Sequence, residues 1–401
     1  MIRIQGLYLG FGGRKIFDNL SLTISDGEKI ALCGRNGTGK STLFKILSGE
    51  LKPDQGIVEN QGNQSIGLLR QELPVDHDFL LKEEVRNALP EITHLQSIVQ
   101  NCELILQQHS ADEHTLQAAI IELQEAHSRL DYLEADKLEG KIEKILIGLG
   151  FTSNDFNKKV KEFSGGWRMR VELAKLLLSK PEILLLDEPN NHLDIVALRW
   201  LEDFLKKYEG TVVLISHDLM FLDNVGKRII ELDKGKVYDF KGNYTAYKLY
   251  RQERKEMELR EFEAQQKLIK HKEMLIDKFR YKASKASFAQ SLITELGRLD
   301  IKEQPEDDVS DIRLKFRPTV QSGHKIVEIK NLSKSYGPKQ VLEDVNLYIE
   351  KGMKWSFIGA NGNGKSTLVR LICEEIMAES GTLELGHQVK LAITLRNTAI
   401  F

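Results

Sequence analysis

The chain of 401 residues has a formal net charge of −2, with 41% hydrophobic and 29% charged residues. This composition is typical of a soluble globular protein with two or three domains. No stretch approaches the ~18 consecutive apolar residues of a membrane span, and the N-terminus lacks the pattern of a signal segment. The three cysteines are scattered without a CxxC pair, which argues against disulfide, zinc and iron–sulfur frameworks and fits a reducing cytosol.

Residues 1–70 show short strand patterns followed by a glycine-rich loop and a helix. Ile30–Cys33 is a short apolar run, typical of a buried parallel strand. It leads directly into Gly34–Ser41 (GRNGTGKS), which fits the pattern G-x-x-x-x-G-K-S/T. A helix is predicted to begin behind this loop at Ser41.

Each residue type in the loop suits the binding of a nucleoside triphosphate. Glycines let backbone N–H groups surround the β- and γ-phosphates, and the following helix offers its positive N-terminus. Lys40 would supply a charge to the same oxygens, and Ser41 a hydroxyl to Mg²⁺. The sequence therefore predicts ATP and Mg²⁺ as ligands. The predicted ATP-binding residues are Gly34, Asn36, Gly37, Gly39, Lys40, Ser41 and Thr42.

From about residue 92 to 150 the apolar residues recur at helical spacing. The first helix carries Leu95, Ile98, Val99, Cys102, Ile105 and Leu106. Ser110 and Glu113 form a capping box for a second helix. Its predicted buried face consists of Leu116, Ile120, Leu123, Leu130 and Leu133. We expect a helical hairpin inserted into the surrounding domain, either as a subdomain with its own core or as an arm that binds a partner.

Residues 163–240 return to alternating strand and helix patterns. The apolar strand Ile183–Leu186 ends in two acids, Asp187 and Glu188. We expect Asp187 to hold Mg²⁺ and Glu188 to polarise the attacking water. His217 follows the next strand, Val212–Ile215, and is predicted to contact the γ-phosphate.

The phosphate loop occurs twice, and the two copies are 325 residues apart. Gly359–Ser366 (GANGNGKS) repeats Gly34–Ser41, and the same offset relates Phe11 to Tyr336 and Gly56 to Gly381. This agreement beyond the loops indicates a domain-scale internal repeat. The predicted residues of the second site are Gly359, Asn361, Gly362, Gly364, Lys365, Ser366 and Thr367.

Phe163–Trp167 (FSGGW), at the start of an amphipathic run, resembles the signature motif of ATP-binding cassette (ABC) ATPases. The resemblance implies that Ser164, Gly165 and Gly166 bind the γ-phosphate of a nucleotide held by the opposite cassette. It also implies that Gln71 is the Q-loop glutamine, acting in catalysis and at Mg²⁺. Phe11 and Tyr336 match the position that stacks on adenine, although lone aromatics more often belong to a core.

Several features together resemble the ABC-F family of soluble, translation-associated ATPases. Trp167 stands where transporters usually have Gln, and Glu188–Asp194 (EPNNHLD) departs from the family's EPTNHLD only at Asn190, where we expect tuning of activity. The segment 281–291 looks like the family's linker, which implies a helical hairpin reaching toward tRNA on the ribosome. The predicted RNA contacts are Lys278, Arg280, Lys282 and Lys285. A solvated charged helix is the alternative.

The second copy follows the repeat only in part. The offset maps Gln71 onto Arg396, and no second signature, acid pair or switch histidine precedes Phe401. We expect unpaired strand edges and a core open to water there. A fragment of a longer product, a disrupted gene or a homodimer of first cassettes would each account for this pattern, and the activity of residues 1–401 stays open.

The sequence thus predicts an α/β P-loop fold in three parts: a first ABC ATPase domain at 1–241 with a helical insertion at about 76–162, a helical linker at 242–323, and the N-terminal part of a second ABC ATPase domain at 324–401. The expected function is a cytoplasmic ATPase that uses ATP to control ribosome and tRNA engagement. The alternatives are the ATPase subunit of an ABC transporter and an ATP-binding remnant without turnover.

Overall fold

The computed structural model describes residues 1–69, 78–107, 113–233, 235–279, 285–299, 322–337 and 339–393. The strands are β1 Ile2–Phe11, β2 Arg14–Ile24, β3 Lys29–Cys33, β4 Gln55–Asn60, β5 Ile66–Leu69, β6 Ile183–Asp187, β7 Thr211–Ile215, β8 Arg228–Asp233, β9 Lys236–Lys241, β10 Lys325–Tyr336, β11 Lys339–Glu350 and β12 Ser380–Leu385. The α-helices are α1 Lys40–Leu47, α2 Leu81–Arg86, α3 Pro90–Gln107, α4 Glu113–Tyr132, α5 Leu138–Gly148, α6 Gly165–Ser179, α7 Ile195–Lys207, α8 Leu219–Val225, α9 Tyr244–Phe279, α10 Ala286–Gly297 and α11 Lys365–Ile372.

The main sheet of the first cassette has, within the described residues, six strands in the order β5-β6-β7-β3-β8-β9, and only β9 runs antiparallel to its neighbour. Strands β6 (ILLLD) and β7 (TVVLI) are buried throughout, as continuous apolar runs are in a sheet covered on both faces. Parallel strands bring their carboxyl ends to one edge. Gly34, Asp187 and His217, which lie at or just after the ends of β3, β6 and β7, therefore meet at that edge.

The predicted internal repeat extends to the register of the backbone. Each copy forms a three-stranded antiparallel sheet, β2-β1-β4 in the first cassette and β11-β10-β12 in the second. The pair Ile4 and Leu22 recurs as Ile329 and Leu347, at the offset of 325 residues. Both copies therefore present their phosphate loop beside an equivalent sheet.

Left-handed backbone conformations recur at the same offset, even where the residue type has changed. The pairs include Gly6 (φ 57°) with Asn331 (48°), Asn19 (59°) with Asp344 (47°), Gly49 (79°) with Glu374 (60°), and Asn63 (49°) with Gln388 (58°). Such φ values are free of cost only for glycine. At these positions the fold, and not the local sequence, sets the backbone.

The segment between β5 and β6 is helical, as predicted, but the buried face of α4 differs from the expected one. Ala119 and Ala126 are buried, whereas Ile120 is 45% exposed, so its assignment to the core face was wrong. Small residues seven positions apart let α4 approach α3 closely, and Ile120 lies beside that seam. The predicted capping residue Ser110 lies outside the described residues.

The charged segment after β9 forms two helices, in agreement with the sequence. Helix α9 has 36 residues, which gives a length of about 54 Å at 1.5 Å per residue. Helix α10 packs against its C-terminal part, where Phe279 and Phe288 lie 6.0 Å apart and Lys272 pairs with Glu295 at 2.5 Å. Residues 300–321, which belong to the predicted linker at 242–323, lie outside the described residues.

The second cassette leaves the counterpart of β3 without a strand. Residues 354–358 correspond to β3 by the offset of 325 residues but form no strand, whereas β3 pairs with β7 and β8 in the first cassette. Trp355 and Ile358 are 50% and 77% exposed, whereas Ile30 is completely buried. Apolar side chains of this segment are thus open to water, as expected, whereas the expected unpaired strand edges stay a prediction because the segment forms no strand.

Candidate nucleotide-binding sites

The glycines of the first phosphate loop are required by close packing as well as by backbone conformation. Gly34 has a φ of 146°, and a Cβ at this position would lie 2.5 Å from the carbonyl oxygen of Leu232. Gly39 has a φ of 98°, and a Cβ there would lie 2.5 Å from Ile16. Any side chain would displace β8 or β2. The loop backbone is therefore held tightly against the sheet where α1 begins.

Both loop lysines lie within their own loops. Lys40 Nζ donates to the carbonyl oxygens of Gly34 at 2.8 Å and Arg35 at 3.1 Å. Lys365 Nζ makes the equivalent bonds to Gly359 at 2.8 Å and Ala360 at 2.7 Å. Burial lowers the pKa of Lys40, against the opposing effect of the carboxylates of Asp187 and Glu188. The two loops thus place an ammonium in the same position.

Glu188 has a largely buried side chain that contacts His217. Its backbone is left-handed (φ 51°) directly after β6, and its Oε2 accepts a hydrogen bond from the backbone N–H of His217 at 3.2 Å. Its Oε1 lies 3.6 Å from His217 Nε2 and is buried without a hydrogen-bond partner in the described part of the chain. Burial raises the pKa of Glu188 above its usual value, although His217 acts in the opposite direction.

The residues near the first loop fit a magnesium ion. Asp187 is buried at the end of β6, and Ser41 lies in the first turn of α1. Carboxylate and hydroxyl oxygens are ligands that Mg²⁺ accepts, and it usually keeps waters and substrate phosphates as the others. No group of three or more metal-ligating side chains occurs among the residues that the structure describes. Gln71, the third predicted ligand, lies outside them.

Asn190 connects the turn after Glu188 to the loop that carries His217. Its Oδ1 accepts a hydrogen bond from the hydroxyl of Ser216 at 2.8 Å. The Ser216 oxygen in turn accepts the backbone N–H of Asp218 at 2.9 Å, and Asp218 caps α8. The residue that departs from the family pattern therefore links the two strand ends that supply Glu188 and His217.

The signature motif faces the second phosphate loop across a cavity of about 570 Å³. Helix α6 begins at Gly165 with Ser164 as its N-cap, as predicted. The first cassette lines the cavity with Ser164, Gly166 and Trp167, and the second with Tyr336, Lys365 and Ser366. The structure thus combines residues from the two cassettes in one nucleotide-sized space.

A direct hydrogen bond joins the two cassettes beside this cavity. Asp194 Oδ2 accepts the backbone N–H of Asn361 at 3.2 Å, while its Oδ1 caps α7. Burial would raise the pKa of Asp194, but these hydrogen bonds and the Arg170 charge bring it below its usual value. Arg170 is buried, stacks on the ring of Trp167 at 4.3 Å, and lies 3.7 Å from Asp194.

The two predicted adenine-stacking residues are not core residues. Phe11 and Tyr336 are 53% and 50% exposed, and each lies at the end of an antiparallel strand pair. Tyr336 also lines the cavity at the second loop. Their exposure leaves both rings available to a flat ligand.

The predicted RNA contacts are only partly described. Lys278 and Lys285 place their ammonium groups 5.7 Å and 4.5 Å from the centre of the same ring, that of Phe279. The two cations and the ring form one surface near the end of α9. Arg280 and Lys282 lie outside the described residues.

Sequence reasoning missed Arg170, whose position in α6 gave a usable signal. The residue is three positions after Trp167 and four before Ala174 and thus falls on the apolar face of the helix. A charged residue on an apolar face needs a buried partner, and the structure supplies Asp194 and the carbonyl oxygens of Leu149 and His192.

The first cassette has the α/β P-loop fold of ABC ATPases. Its defining features are the sheet order, the loop after β3, the acids after β6 and the signature at the start of α6. Helices and a partial second cassette follow it. A family model described as ABC transporter matches residues 17–191 and 342–398, and a second model with that description matches residues 230–316. In the described part of the chain, no helix is long and apolar enough to cross a membrane.

Comparison with known proteins identifies the family within the ABC ATPases. The chain is 35% identical over 391 residues to the probable ATP-binding protein YheS of Escherichia coli K12, covering 98% of this chain and 59% of that protein. It is 35% identical over 387 residues to the energy-dependent translational throttle protein EttA of Haemophilus influenzae, covering 94% and 67%. The ABC transporter F family member 2 of Arabidopsis thaliana is 33% identical, covering 92% and 55%. The chain belongs to the ABC-F family.

The chain spans roughly three-fifths of the length of these relatives, between 55% and 67%. A solved structure of the ATP-binding subunit of an ABC transporter aligns with 60% of this chain and 90% of its own, at 17% identity and a TM-score of 0.45.

Proposed function

We propose that this chain binds Mg·ATP at both phosphate loops, hydrolyses it at the first, and uses the two steps to control engagement of the ribosome. At each loop the glycine backbone and the lysine would hold the phosphates, and the exposed rings of Phe11 and Tyr336 would stack on adenine. Mg²⁺ would be held by Ser41, Asp187 and Gln71 and would neutralise charge on the phosphate oxygens.

Hydrolysis at the first loop would depend on Glu188 and His217. Glu188 would orient the attacking water and take its proton, and a raised pKa brings a carboxylate closer to the range that suits a general base. The unpartnered Oε1 provides a free acceptor for that water. His217 is positioned by its backbone hydrogen bond to Glu188 and would contact the γ-phosphate through its exposed ring.

The observation that carries the proposal is the meeting of the signature with the second phosphate loop. A triphosphate on Lys365 would contact Ser164, Gly165 and Gly166 from the first cassette and would hold the two cassettes together. The hydrogen bond between Asp194 and Asn361 supports this arrangement.

The ribosome is proposed as the partner because of the linker and one relative. EttA of Haemophilus influenzae, at 35% identity, is named a translational throttle protein. The surface formed by Lys278, Lys285 and Phe279 combines positive charge with a ring on which a base can stack. Residues 278–285 would contact ribosomal RNA or tRNA, and the protein would act in the cytoplasm.

A homodimer of first cassettes is a weaker proposal. It would need the signature of each chain to face Lys40 of the other chain. In this structure the chain's own second phosphate loop faces Ser164 and Gly166, so dimerisation would first have to displace that loop.

The test follows N-terminally tagged protein from its native cell through a ribosome gradient containing ATP. We expect the Glu188→Gln variant, which should bind ATP but hydrolyse it slowly, to sediment with ribosomes. The matched control Lys40→Ala with Lys365→Ala should remain at the top. Equal sedimentation of both variants, or a membrane protein that co-purifies in place of ribosomes, would contradict the proposal.

A further inference from the structure

A buried carboxylate lies directly beside the strand that leads into the first phosphate loop. Glu231 is in β8, and its Cα partner in the ladder is Cys33, the last residue of β3 before Gly34. The side chain of Glu231 is 5% exposed. The next residue, Leu232, is the one whose carbonyl oxygen excludes any side chain from Gly34. A displacement of the loop at Gly34 must therefore also displace β8.

The partners of Glu231 come from the linker helix. Arg254 Nη2 donates to Glu231 Oε2 at 2.6 Å, and Arg251 Nε forms an ion pair with Oε1 at 2.8 Å. Tyr247, also buried, belongs to the same face of α9, because positions 247, 251 and 254 are four and three residues apart. The guanidinium of Arg254 also lies 3.6 Å from the centre of the Tyr238 ring in β9.

These contacts keep Glu231 ionised inside the protein. Burial would raise its pKa, but the groups around it, Tyr247, Arg254 and Arg251, bring the pKa below its usual value. Burying charges in this way is expensive and adds little net stability compared with apolar packing. What such a cluster provides is geometry, because only one rotation of α9 directs both arginines at one carboxylate.

We propose that Glu231 is a positioning residue that couples the first phosphate loop to the direction of the linker helix. Two arginines fix the base of α9 to β8, and β8 is in contact with the loop through Cys33 and Gly34. Ordering of the loop by phosphate changes the position of β8 by a small amount, and α9 carries that change outward. A helix of about 54 Å turned by about 10° at its base moves its far end by about 9 Å.

The coupling to nucleotide rests on the proposed ATP binding, whereas the anchoring of α9 does not. By linkage the effect is reciprocal, so weakening the contacts of Glu231 with Arg251 and Arg254 must also weaken nucleotide binding at the first loop. This reciprocity separates a coupling role from a merely structural one.

The experiment compares Glu231→Gln with Glu258→Gln in a Lys365→Ala background, so that only the first loop binds nucleotide. Glu258 is the matched control, because it pairs with the same Arg254 at 3.7 Å but is exposed. Two quantities are measured: hydrogen exchange of the amides of residues 247–258, with and without a fluorescent ATP analogue, and the dissociation constant of that analogue.

We expect Glu231→Gln to speed exchange of these amides without nucleotide, and to weaken analogue binding by about tenfold, within the usual range of coupling between sites. Glu258→Gln should change neither quantity by more than about twofold. In the Lys365→Ala parent, the analogue should slow exchange of residues 247–258, and Glu231→Gln should abolish that effect.

Normal analogue binding by the parent without any effect on exchange of α9 would overturn the coupling and leave the proposed function intact. A parent that binds no analogue would overturn both. Should Glu231→Gln lose protection in β6 and β7, which indicates that it has not folded, Arg254→Lys replaces it. That variant keeps the charge and loses the fork geometry, and unchanged exchange and unchanged analogue affinity in it would overturn the proposal.

Discussion

The carboxylate of Asp194 accepts the backbone N–H of Asn361 at 3.2 Å while its second oxygen caps α7. One side chain thus stabilises a helix of the first cassette and contacts the phosphate loop of the second. The two roles have separate readouts, the free energy of unfolding for the cap and amide exchange at the second loop for the contact.

We expect Asp194→Ala to destabilise the first cassette by more than the ~1 kcal/mol of a lost cap, because it also leaves buried Arg170 without its carboxylate partner. It should also speed amide exchange across residues 359–366. Asp218→Ala is the control, since Asp218 caps α8 and contacts no residue of the second loop in the described structure. It should cost only the cap, about 1 kcal/mol, and leave exchange at 359–366 unchanged. Equal exchange in the two variants would show that the cross-cassette bond is unimportant.

The two phosphate loops should bind nucleotide independently of the chemistry at Glu188. Isothermal titration with a non-hydrolysable ATP analogue and Mg²⁺ should give two sites, and Lys40→Ala or Lys365→Ala should each leave one. The reason is that each lysine has the same position in its own loop and would contact phosphate. A single site that only Lys40→Ala removes would contradict the prediction for the second loop.

Unlike a carboxylate whose pKa is lowered by folding, Glu188 should contribute more to the stability of the folded protein at acidic pH than at neutral pH. Since its folded-state pKa is raised by burial, its contribution to stability is full below the unfolded pKa and is lost as the pH rises through the folded one. Glu188→Gln, a neutral isostere, should therefore have a higher melting temperature than the wild type at pH 7. The difference should vanish below about pH 4, near the unfolded pKa of a glutamate.

The same raised pKa makes a kinetic prediction. The rate of any ATP hydrolysis at the first loop should decrease as the pH falls, because protonated Glu188 cannot accept a proton from water. This decrease should begin at a pH above the ordinary carboxyl range. The pH profile of hydrolysis by the wild type checks this. An acidic limb at the usual carboxyl pKa would argue against Glu188 as the base.

Asn190 and Ser216 should be energetically coupled. A double-mutant cycle with Asn190→Ala and Ser216→Ala, measured by urea unfolding, should give an interaction of about 1 kcal/mol for the 2.8 Å hydrogen bond. Asn190→Thr restores the usual family residue and retains a hydroxyl that can bond Ser216. It should therefore recover part of the coupling, whereas strictly additive single variants would exclude the link.

Residues 354–358 of the second cassette should tolerate substitution better than the equivalent strand β3 of the first cassette. Ile30→Ala should cost about 2–5 kcal/mol, because Ile30 is completely buried in β3. Trp355→Ala, at the equivalent position of the repeat, should cost less free energy of unfolding than Ile30→Ala, because the Trp355 side chain is half exposed. Denaturant unfolding of both variants checks the pair.

Local motifs explain which parts could be predicted from the sequence. Gly34–Ser41, the acids after β6 and Ser164 at the start of α6 are each defined within a few neighbouring residues, so their pattern determines their geometry. The predicted roles of these residues remain to be tested.

The contacts that escaped prediction join distant parts of the chain. The bond from Asp194 to Asn361 spans 167 residues, and the cluster at Glu231 depends on which face of α9 meets the sheet. The seam of α4 was misjudged because Ile120 is more hydrophobic than Ala119, whereas close helix packing favours the smaller residue. Side-chain size against a partner that the sequence does not reveal decided that case.

The left-handed positions shared by the two cassettes separate what the backbone has in common from what the side chains do. At the offset of 325 residues the side chains differ, as Gly49 and Glu374 show, whereas both residues have a left-handed backbone. The backbone conformation is thus the same in both copies even where glutamate takes the left-handed region that favours glycine. Glu374→Gly would place at this position the residue of the first cassette and remove the cost of holding a glutamate in the left-handed region.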